Sequence, residues 1–153
     1  MSEIKDAIKV RGDVRVELFN VDGMPKEGRD VFNLVVDTGL SFIISRMKDT
    51  SKGVMSHMAL GAGTTAAAAG QTDLTSILGS RQALDSTTIG GAGKQITYVA
   101  TFGAGVGTGA VTEAGIFNAS SAGDMLSRVV FPVVNKGAND TMIITWTLTQ
   151  AAA

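Results

Sequence analysis

Histidine, the residue type most often used in acid–base catalysis, occurs once in the sequence, as His57 in the segment Met55 to Met58. A lone histidine cannot build a multi-histidine metal site, and a Ser-His-Asp triad would need two further groups supplied by the fold. The apolar neighbours of His57 predict a strand. We therefore interpret it as a partly buried histidine whose ring is hydrogen-bonded to a backbone group.

Two glycine clusters have the composition of phosphate-binding loops, Gly61 to Gly63 and Gly103 to Gly109. A phosphate loop needs a lysine and a hydroxyl residue directly after its glycines, and a dinucleotide-binding loop needs a strand before it and a helix after it. Neither cluster has this context. We expect these glycines to adopt positive φ in tight turns instead.

The remaining chemical motifs are weak. Arg11 to Asp13 spells a cell-adhesion tripeptide but lies at the entrance of a predicted strand, so we interpret it as ordinary sequence. Asp73, Glu113, Asp124 and Asp140 lack the spacing of a calcium loop, and the absence of cysteine excludes disulfides and thiolate zinc sites. The sequence predicts no enzyme, no catalytic residue, no cofactor and no metal ion.

The composition limits the classes of molecule that the chain is expected to bind. Thirteen Lys and Arg against 14 Asp and Glu give a net charge of -1, and without a basic run we expect no direct contact with nucleic acid. No apolar run approaches the roughly 20 residues that cross a bilayer, so we expect no membrane association. The charged N-terminal segment does not resemble a secretion signal, which predicts that the chain is made and used in a cytoplasm. Charged residues make up only 18% of the chain, as expected of a subunit that buries much of its surface in contacts.

The elements that would position these residues are mostly strands. Apolar and polar residues alternate with a period of two, the pattern of half-buried strands, in Val10 to Phe19, Gln95 to Phe102 and Thr141 to Gln150. Three further segments are also predicted to be strands, which are Val54 to Leu60, Ala110 to Phe117 and Met125 to Val134.

Helical patterns occur only in the first half. A broad apolar stripe predicts a helix from Val31 to Met47 with Asp30 as its cap, although a split at Gly39 into a strand and a short helix is an alternative. A brief helical turn is expected over Leu74 to Leu78. The segment Ser86 to Gly93 is predicted to be a loop because it is rich in Gly and Ser.

Together these patterns predict a mainly β protein, an antiparallel, jelly-roll-like β-sandwich with one or two short helices in its N-terminal half. We expect a single domain over residues 1–153, with an N-terminal strand and helix at 8–47 and the main β module at 54–150.

One predicted strand is a candidate assembly surface. The segment Met125 to Val134 is apolar on both faces, and Pro132 favours an edge position because it cannot donate to a ladder. An edge strand that is apolar on both faces suits a contact with another subunit, with burial in the core as the alternative. The candidate residues are Val129, Val130, Phe131, Pro132, Val133 and Val134.

Three stretches resemble small structural proteins of tailed bacteriophages, of the head decoration or cement type or the tail-fibre-like β module. Their order and spacing, more than any single piece, carry the resemblance, and they cover roughly the last two thirds of the chain. They are SHMALGAGTTAAAAGQTDL at 56–74, GTGAVTEAGIFN at 107–118 and DMLSRVVFPVVNKGANDTMIITWTLT at 124–149.

The resemblance implies a β-sandwich that assembles on a virion and has no active site to carry over. We expect a capsid decoration or cement protein that stabilises the head, with the major capsid protein or other virion proteins as partners and a dimer or trimer as its own state. The alternative is a tail, neck or fibre-associated component with a receptor- or carbohydrate-binding role, using the loops at 61–70 or 103–109.

Overall fold

The computed structural model describes residues 6–152, which form two five-stranded antiparallel sheets and one α-helix. The predicted mainly β, sandwich-like fold with a helix in its N-terminal half is therefore confirmed. The strands are β1 (Ile8–Phe19), β2 (Pro25–Phe32), β3 (Leu34–Val35), β4 (His57–Gly61), β5 (Ile77–Ala83), β6 (Ser86–Gly90), β7 (Gln95–Phe102), β8 (Gly109–Phe117), β9 (Met125–Lys136) and β10 (Thr141–Ala152). The helix is α1 (Asp37–Lys48), and Gly91–Gly93 forms one turn of 3-10 helix.

The two sheets divide the strands between them. The first sheet has the order β2-β1-β10-β7-β6 and the second has the order β3-β9-β8-β4-β5. In the centre of the first sheet, β1 pairs with β10 from Ile8 opposite Ala152 to Phe19 opposite Thr141. In the second sheet, β8 and β9 form the predicted hairpin. Strands that are distant in sequence therefore meet side by side.

The core lies between the sheets and follows the predicted alternation. On β10, Met142, Ile144 and Trp146 are fully buried, while Ile143 and Thr145 between them are only partly buried. The facing side chains of the second sheet include Leu60 and Ile116, which belong to the same buried cluster. Both sheets thus share one apolar interior.

The second sheet is also covered on part of its outer face. Val36, Ala59, Phe117 and Met125 form a separate buried cluster, against which Leu74 of the segment 62–76 packs. Ala59 lies between the core residues of β4, so the alternation of a strand places it on the opposite side of the sheet. This outer cover explains why β8 is buried without interruption from Val111 to Phe117.

The helix begins later than predicted. Residues 31–35 are extended because Val31 and Phe32 pair with β1, so the prediction of a helix from Val31 was wrong. Asp30, the predicted cap, lies in β2 with its carboxylate 2.9 Å from Arg15 Nη1. The chain does divide into strands and a shorter helix, but the division falls at Val36, the N-cap residue, rather than at Gly39.

All four edge strands were missed, which are β2 and β3 before the helix, and β5 and β6. Ile77–Ala83 forms β5 beside β4, where a helical turn was predicted, and Ser86–Gly90 forms β6 beside β7, where a loop was predicted. All five residues of β6 are exposed, so burial imposes no alternation on their types. Backbone pairing alone holds this strand in the sheet, and composition could not indicate it.

Candidate functional site

A fully buried ion pair lies on the outer face of the second sheet. Glu113 on β8 and Arg128 on β9 both have side chains that are 0% exposed, and Arg128 Nη2 lies 2.6 Å from Glu113 Oε2. Arg128 Nε donates a second hydrogen bond of 3.0 Å to the same oxygen. The hairpin register places Arg128 opposite Gly115, two residues from Glu113, so both side chains leave the sheet on one face.

The segment 62–76 completes this polar network. Glu113 Oε1 accepts a 2.8 Å hydrogen bond from the backbone N–H of Ser76, and Arg128 Nη1 donates a 3.0 Å bond to the side chain of Gln71. The backbone N–H of Thr75 lies 3.3 Å from Glu113 Oε2. The ion pair therefore fastens the covering segment to the β8–β9 hairpin.

The protonation of Glu113 follows from these contacts. Burial raises the pKa of its carboxyl, but the N–H of Ser76, the guanidinium of Arg128 and the N–H of Thr75 together outweigh burial and hold the pKa below its ordinary value. Glu113 is therefore ionised at neutral pH, and both of its oxygens accept hydrogen bonds from the protein. This arrangement stabilises the fold and leaves neither oxygen free to exchange a proton with a substrate.

The first glycine cluster packs against the network. A side chain at Gly61 or Gly63 would overlap the carboxylate of Glu113. Gly63 O accepts a 2.7 Å hydrogen bond from Thr112 Oγ1. Neither glycine has a positive φ, so the prediction of positive φ was wrong for this cluster, and close approach to Glu113 is what excludes larger residues.

The second glycine cluster forms the predicted turn. Gly105, Gly107 and Gly109 have φ of 77°, 64° and 140°, which confirms the expectation of positive φ for these three, although Gly103 does not have a positive φ. The N–H of Gly105 donates to Ala138 O at 2.8 Å, and Lys136 Nζ donates to Gly103 O at 2.8 Å. These bonds fasten the loop to the β9–β10 turn, so the N–H of Gly105 is not directed towards a bound phosphate.

His57 is half-buried at the start of β4. Its Nδ1 lies 2.7 Å from Ser56 Oγ, so the ring is bonded to a neighbouring hydroxyl and the prediction of a backbone partner was wrong. Within residues 6–152 no carboxylate hydrogen-bonds to His57, and no group of three or more His, Asp or Glu side chains could hold a metal ion.

The acidic residues weighed as metal ligands lie apart. Three of them form separate ion pairs with basic side chains, and the fourth is Glu113 of the buried pair. The three pairs are Asp73 with Arg81 at 3.7 Å, Asp124 with Lys52 at 3.0 Å and Asp140 with Lys26 at 2.8 Å.

The Arg11 to Asp13 tripeptide lies within β1 between two neighbouring strands. Gly12 pairs with Leu148 of β10 and Asp13 pairs with Phe32 of β2. The side chains of Arg11 and Asp13 bind each other at 2.9 Å. The tripeptide is therefore part of a sheet rather than the tip of a projecting loop.

The structure places some residues of the candidate assembly surface in the core and others in contact with solvent. Val129, Phe131 and Val134 lie in the core with exposures of 1%, 4% and 0%, and Val130 is partly buried. The exposed members are Pro132 and Val133, and Val133 is 44% exposed. An assembly contact on this strand would therefore use Pro132 and Val133.

Pro132 and Val133 lie in the C-terminal half of β9, beyond its pairing with β3. In the part of the chain that the structure describes, β3 pairs with β9 only at Ser127 and Arg128. Beyond that point Arg29 of β2 donates a 3.0 Å hydrogen bond to Val133 O. Pro132 therefore lies past the short partner strand, where a missing N–H breaks no ladder bond with β3.

A groove of about 240 Å³ lies between α1 and the first sheet. Its walls are mostly apolar and include Phe42, Ile89 and Tyr98. Burial raises the pKa of the Tyr98 hydroxyl to about 12, so it stays protonated at neutral pH. Tyr98 is 5% exposed and Trp146 is 0% exposed, so neither ring offers a platform for stacking a sugar.

Comparison of the chain with protein-family models, curated proteins and solved structures finds no match. Across residues 6–152, no helix is both long enough and apolar enough to span a membrane.

Sequence reasoning treated Glu113 as an isolated acid and did not use Arg128. A signal was present, because each is a single charge within an otherwise apolar strand segment. Such charges are rarely buried without a partner, and the predicted hairpin would have brought the two to one face. The partners from the segment 62–76 had no comparable signal.

Proposed function

We propose that this chain is a non-enzymatic structural subunit of a tailed bacteriophage particle, a capsid decoration or cement protein that stabilises the head. The observation that supports this most is the meeting of the three stretches that resemble virion proteins. Glu113 of the second stretch binds Arg128 of the third, and Arg128 binds Gln71 of the first. The residues that carry the resemblance thus maintain one structural module.

The surface of the module supports a binding role. Its buried charges serve the fold, whereas several large apolar side chains face solvent. A subunit that binds only the assembled shell adds interface energy to that state and so stabilises it by mass action. The most exposed apolar residues are Ile8, Val21, Met24, Phe32, Ile44, Met47, Val54 and Ile89.

The direct test is a cryo-EM map of particles from the phage that encodes the chain. We expect density for a ten-stranded sandwich at regular positions over joints between capsid subunits. Density only on the tail would contradict the decoration role and favour the tail, neck or fibre alternative. Absence of the chain from purified particles would contradict the virion assignment altogether.

A functional test uses particles that lack the subunit. We expect them to release DNA at a lower temperature, and added purified protein to restore their resistance. Val133→Glu should weaken this rescue because it replaces an exposed apolar side chain of the candidate contact with a charge. Val21→Glu is the matched control, since Val21 is 75% exposed in the turn after β1. Equal rescue by both variants would exclude Val133 from the contact.

A further inference from the structure

The outward face of α1 carries an apolar stripe. Leu40, Ile44 and Met47 follow one another at helical spacing and are 45%, 65% and 84% exposed. The opposite face holds Gly39 and Phe42, which pack against the backbone of Leu126 and into the core. The helix therefore has one side that packs against the domain and one apolar side that faces solvent.

Opposite charges lie at the two ends of this stripe. With 3.6 residues per turn, Asp37 and Lys48 fall on the same face as Ile44. Lys48 is 86% exposed and forms an ion pair with the adjacent Asp49, at 3.4 Å. Arg46 faces the domain instead, over the ring of Phe42. The outward face thus runs from a negative N-terminal end, through an apolar centre, to a positive C-terminal end.

Such a face is complementary to itself, and we propose that α1 pairs antiparallel with α1 of a second copy of this chain. A two-fold axis through the centre of the stripe reverses its order, so that Leu40 of one copy faces Met47 of the other. The same rotation brings Asp37 within one turn of Lys48 of the second copy, twice per dimer. The helix dipoles also oppose each other in this arrangement, and the contact closes after two subunits.

The size of the contact sets its strength. The 12 residues of α1 span about 18 Å, which gives a contact at the small end of protein interfaces. We expect a dissociation constant in the micromolar range, so that pairing becomes complete where subunits are concentrated. The pairing does not depend on the proposed virion function, because it rests on the helix face alone.

Sedimentation equilibrium of the full chain tests the pairing. We expect a reversible monomer–dimer equilibrium for the wild type. Ile44→Asp places a charge at the centre of the stripe and should weaken association at least about tenfold, because burying an unpaired charge is costly. Val21→Asp changes an apolar residue of the β1–β2 turn that is 75% exposed, and it should leave association unchanged.

A charge exchange tests the orientation and does not depend on Ile44→Asp folding. Asp37→Lys and Lys48→Asp should each weaken self-association several-fold, because each homodimer then brings two like-charge pairs together. A mixture of the two variants should form a heterodimer of wild-type strength. In that heterodimer the introduced lysine of one chain faces the introduced aspartate of the other, and the unchanged Lys48 faces the unchanged Asp37.

Three results would overturn the proposal. One is a wild type that stays monomeric at every concentration, and another is a dimer that neither charge variant weakens. The third is a mixture that associates more tightly than the wild type while each variant alone matches it, which would indicate parallel helices. Thermal unfolding of each variant shows whether it is folded, and the mixture is interpreted against the same two proteins measured separately.

Discussion

At the scale of single residues, the charges inside this protein serve its stability. The carboxylate of Glu113 is held by Arg128 and by two backbone N–H groups, and Arg128 in turn holds Gln71. Removing one member of a buried pair is costly because the other charge is left without compensation. The pair is therefore one of the contacts that hold the segment 62–76 on the sheet, beside the packing of Leu74 and the bond from Thr112 to Gly63.

We predict that Glu113→Gln lowers the free energy of unfolding by about 3 kcal/mol at pH 7, measured by urea denaturation. Because the folded pKa of Glu113 lies below the unfolded pKa, its stabilisation is complete above the unfolded pKa and is lost as the pH falls through the folded pKa. The difference between wild type and variant should therefore shrink in acid.

Asp73→Asn is the control for this measurement. Asp73 is 61% exposed, and its contact with the largely buried Arg81 is long, at 3.7 Å, so we expect a change within about 1 kcal/mol. Equal stabilities of wild type and Glu113→Gln at pH 7, or a difference that grows in acid, would contradict the assigned role of the buried pair.

At the scale of elements, the sequence predicted strands wherever one face is buried and failed where burial imposes no pattern. The alternation in β1, β7 and β10 follows the core directly, so these strands were found. The exposed β6 has no such pattern. The start of α1 was misplaced because pairing with β1 overrides the helical spacing of apolar residues after Asp30. The partners of Glu113 in the segment 62–76, Thr75 and Ser76, could not be predicted, since that segment has no regular structure.

Gly39 decides how closely α1 approaches the second sheet. Its missing side chain lets the helix lie against the carbonyl of Leu126, and Thr38 Oγ1 donates a 2.7 Å hydrogen bond to the neighbouring Met125 O. In an exposed helix a glycine costs stability relative to alanine. Here a side chain would overlap the carbonyl of Leu126, so the glycine at which the sequence suggested a possible break is needed for packing.

We predict that Gly39→Ala destabilises the protein by about 2 kcal/mol, because the new methyl group forces the helix away from β9. Ser41→Ala on the exposed side of α1 should instead be neutral or stabilise by up to about 0.5 kcal/mol. Both are measured by urea denaturation. A stabilising Gly39→Ala would show that the helix can move outward without loss.

At the scale of the whole molecule, one interior joins the two sheets. The only tryptophan, Trp146, lies at 0% exposure on β10, in the same cluster as residues from the second sheet. Neither sheet can leave the other without exposing this cluster to water. The two sheets should therefore unfold together.

We predict that Trp146 fluorescence and far-UV circular dichroism give coincident urea transitions, the mark of a cooperative two-state process. Fluorescence reports the environment of the shared core, and circular dichroism reports all strands. A fluorescence transition that is complete while most of the strand signal remains would mean that the sheets separate before they unfold.

The pairing of β1 with β10 also determines how the protein responds to a pulling force. Ile8 and Ala152 lie opposite each other in adjacent antiparallel strands, whose hydrogen bonds are perpendicular to the strand axes. A force that separates these two points acts along the bonds and opens them one after another, like a zipper. Tension applied along β1 and β10 in opposite directions would load all of the bonds together. The β1–β10 pairing therefore resists less force applied between Ile8 and Ala152 than force applied along the two strands.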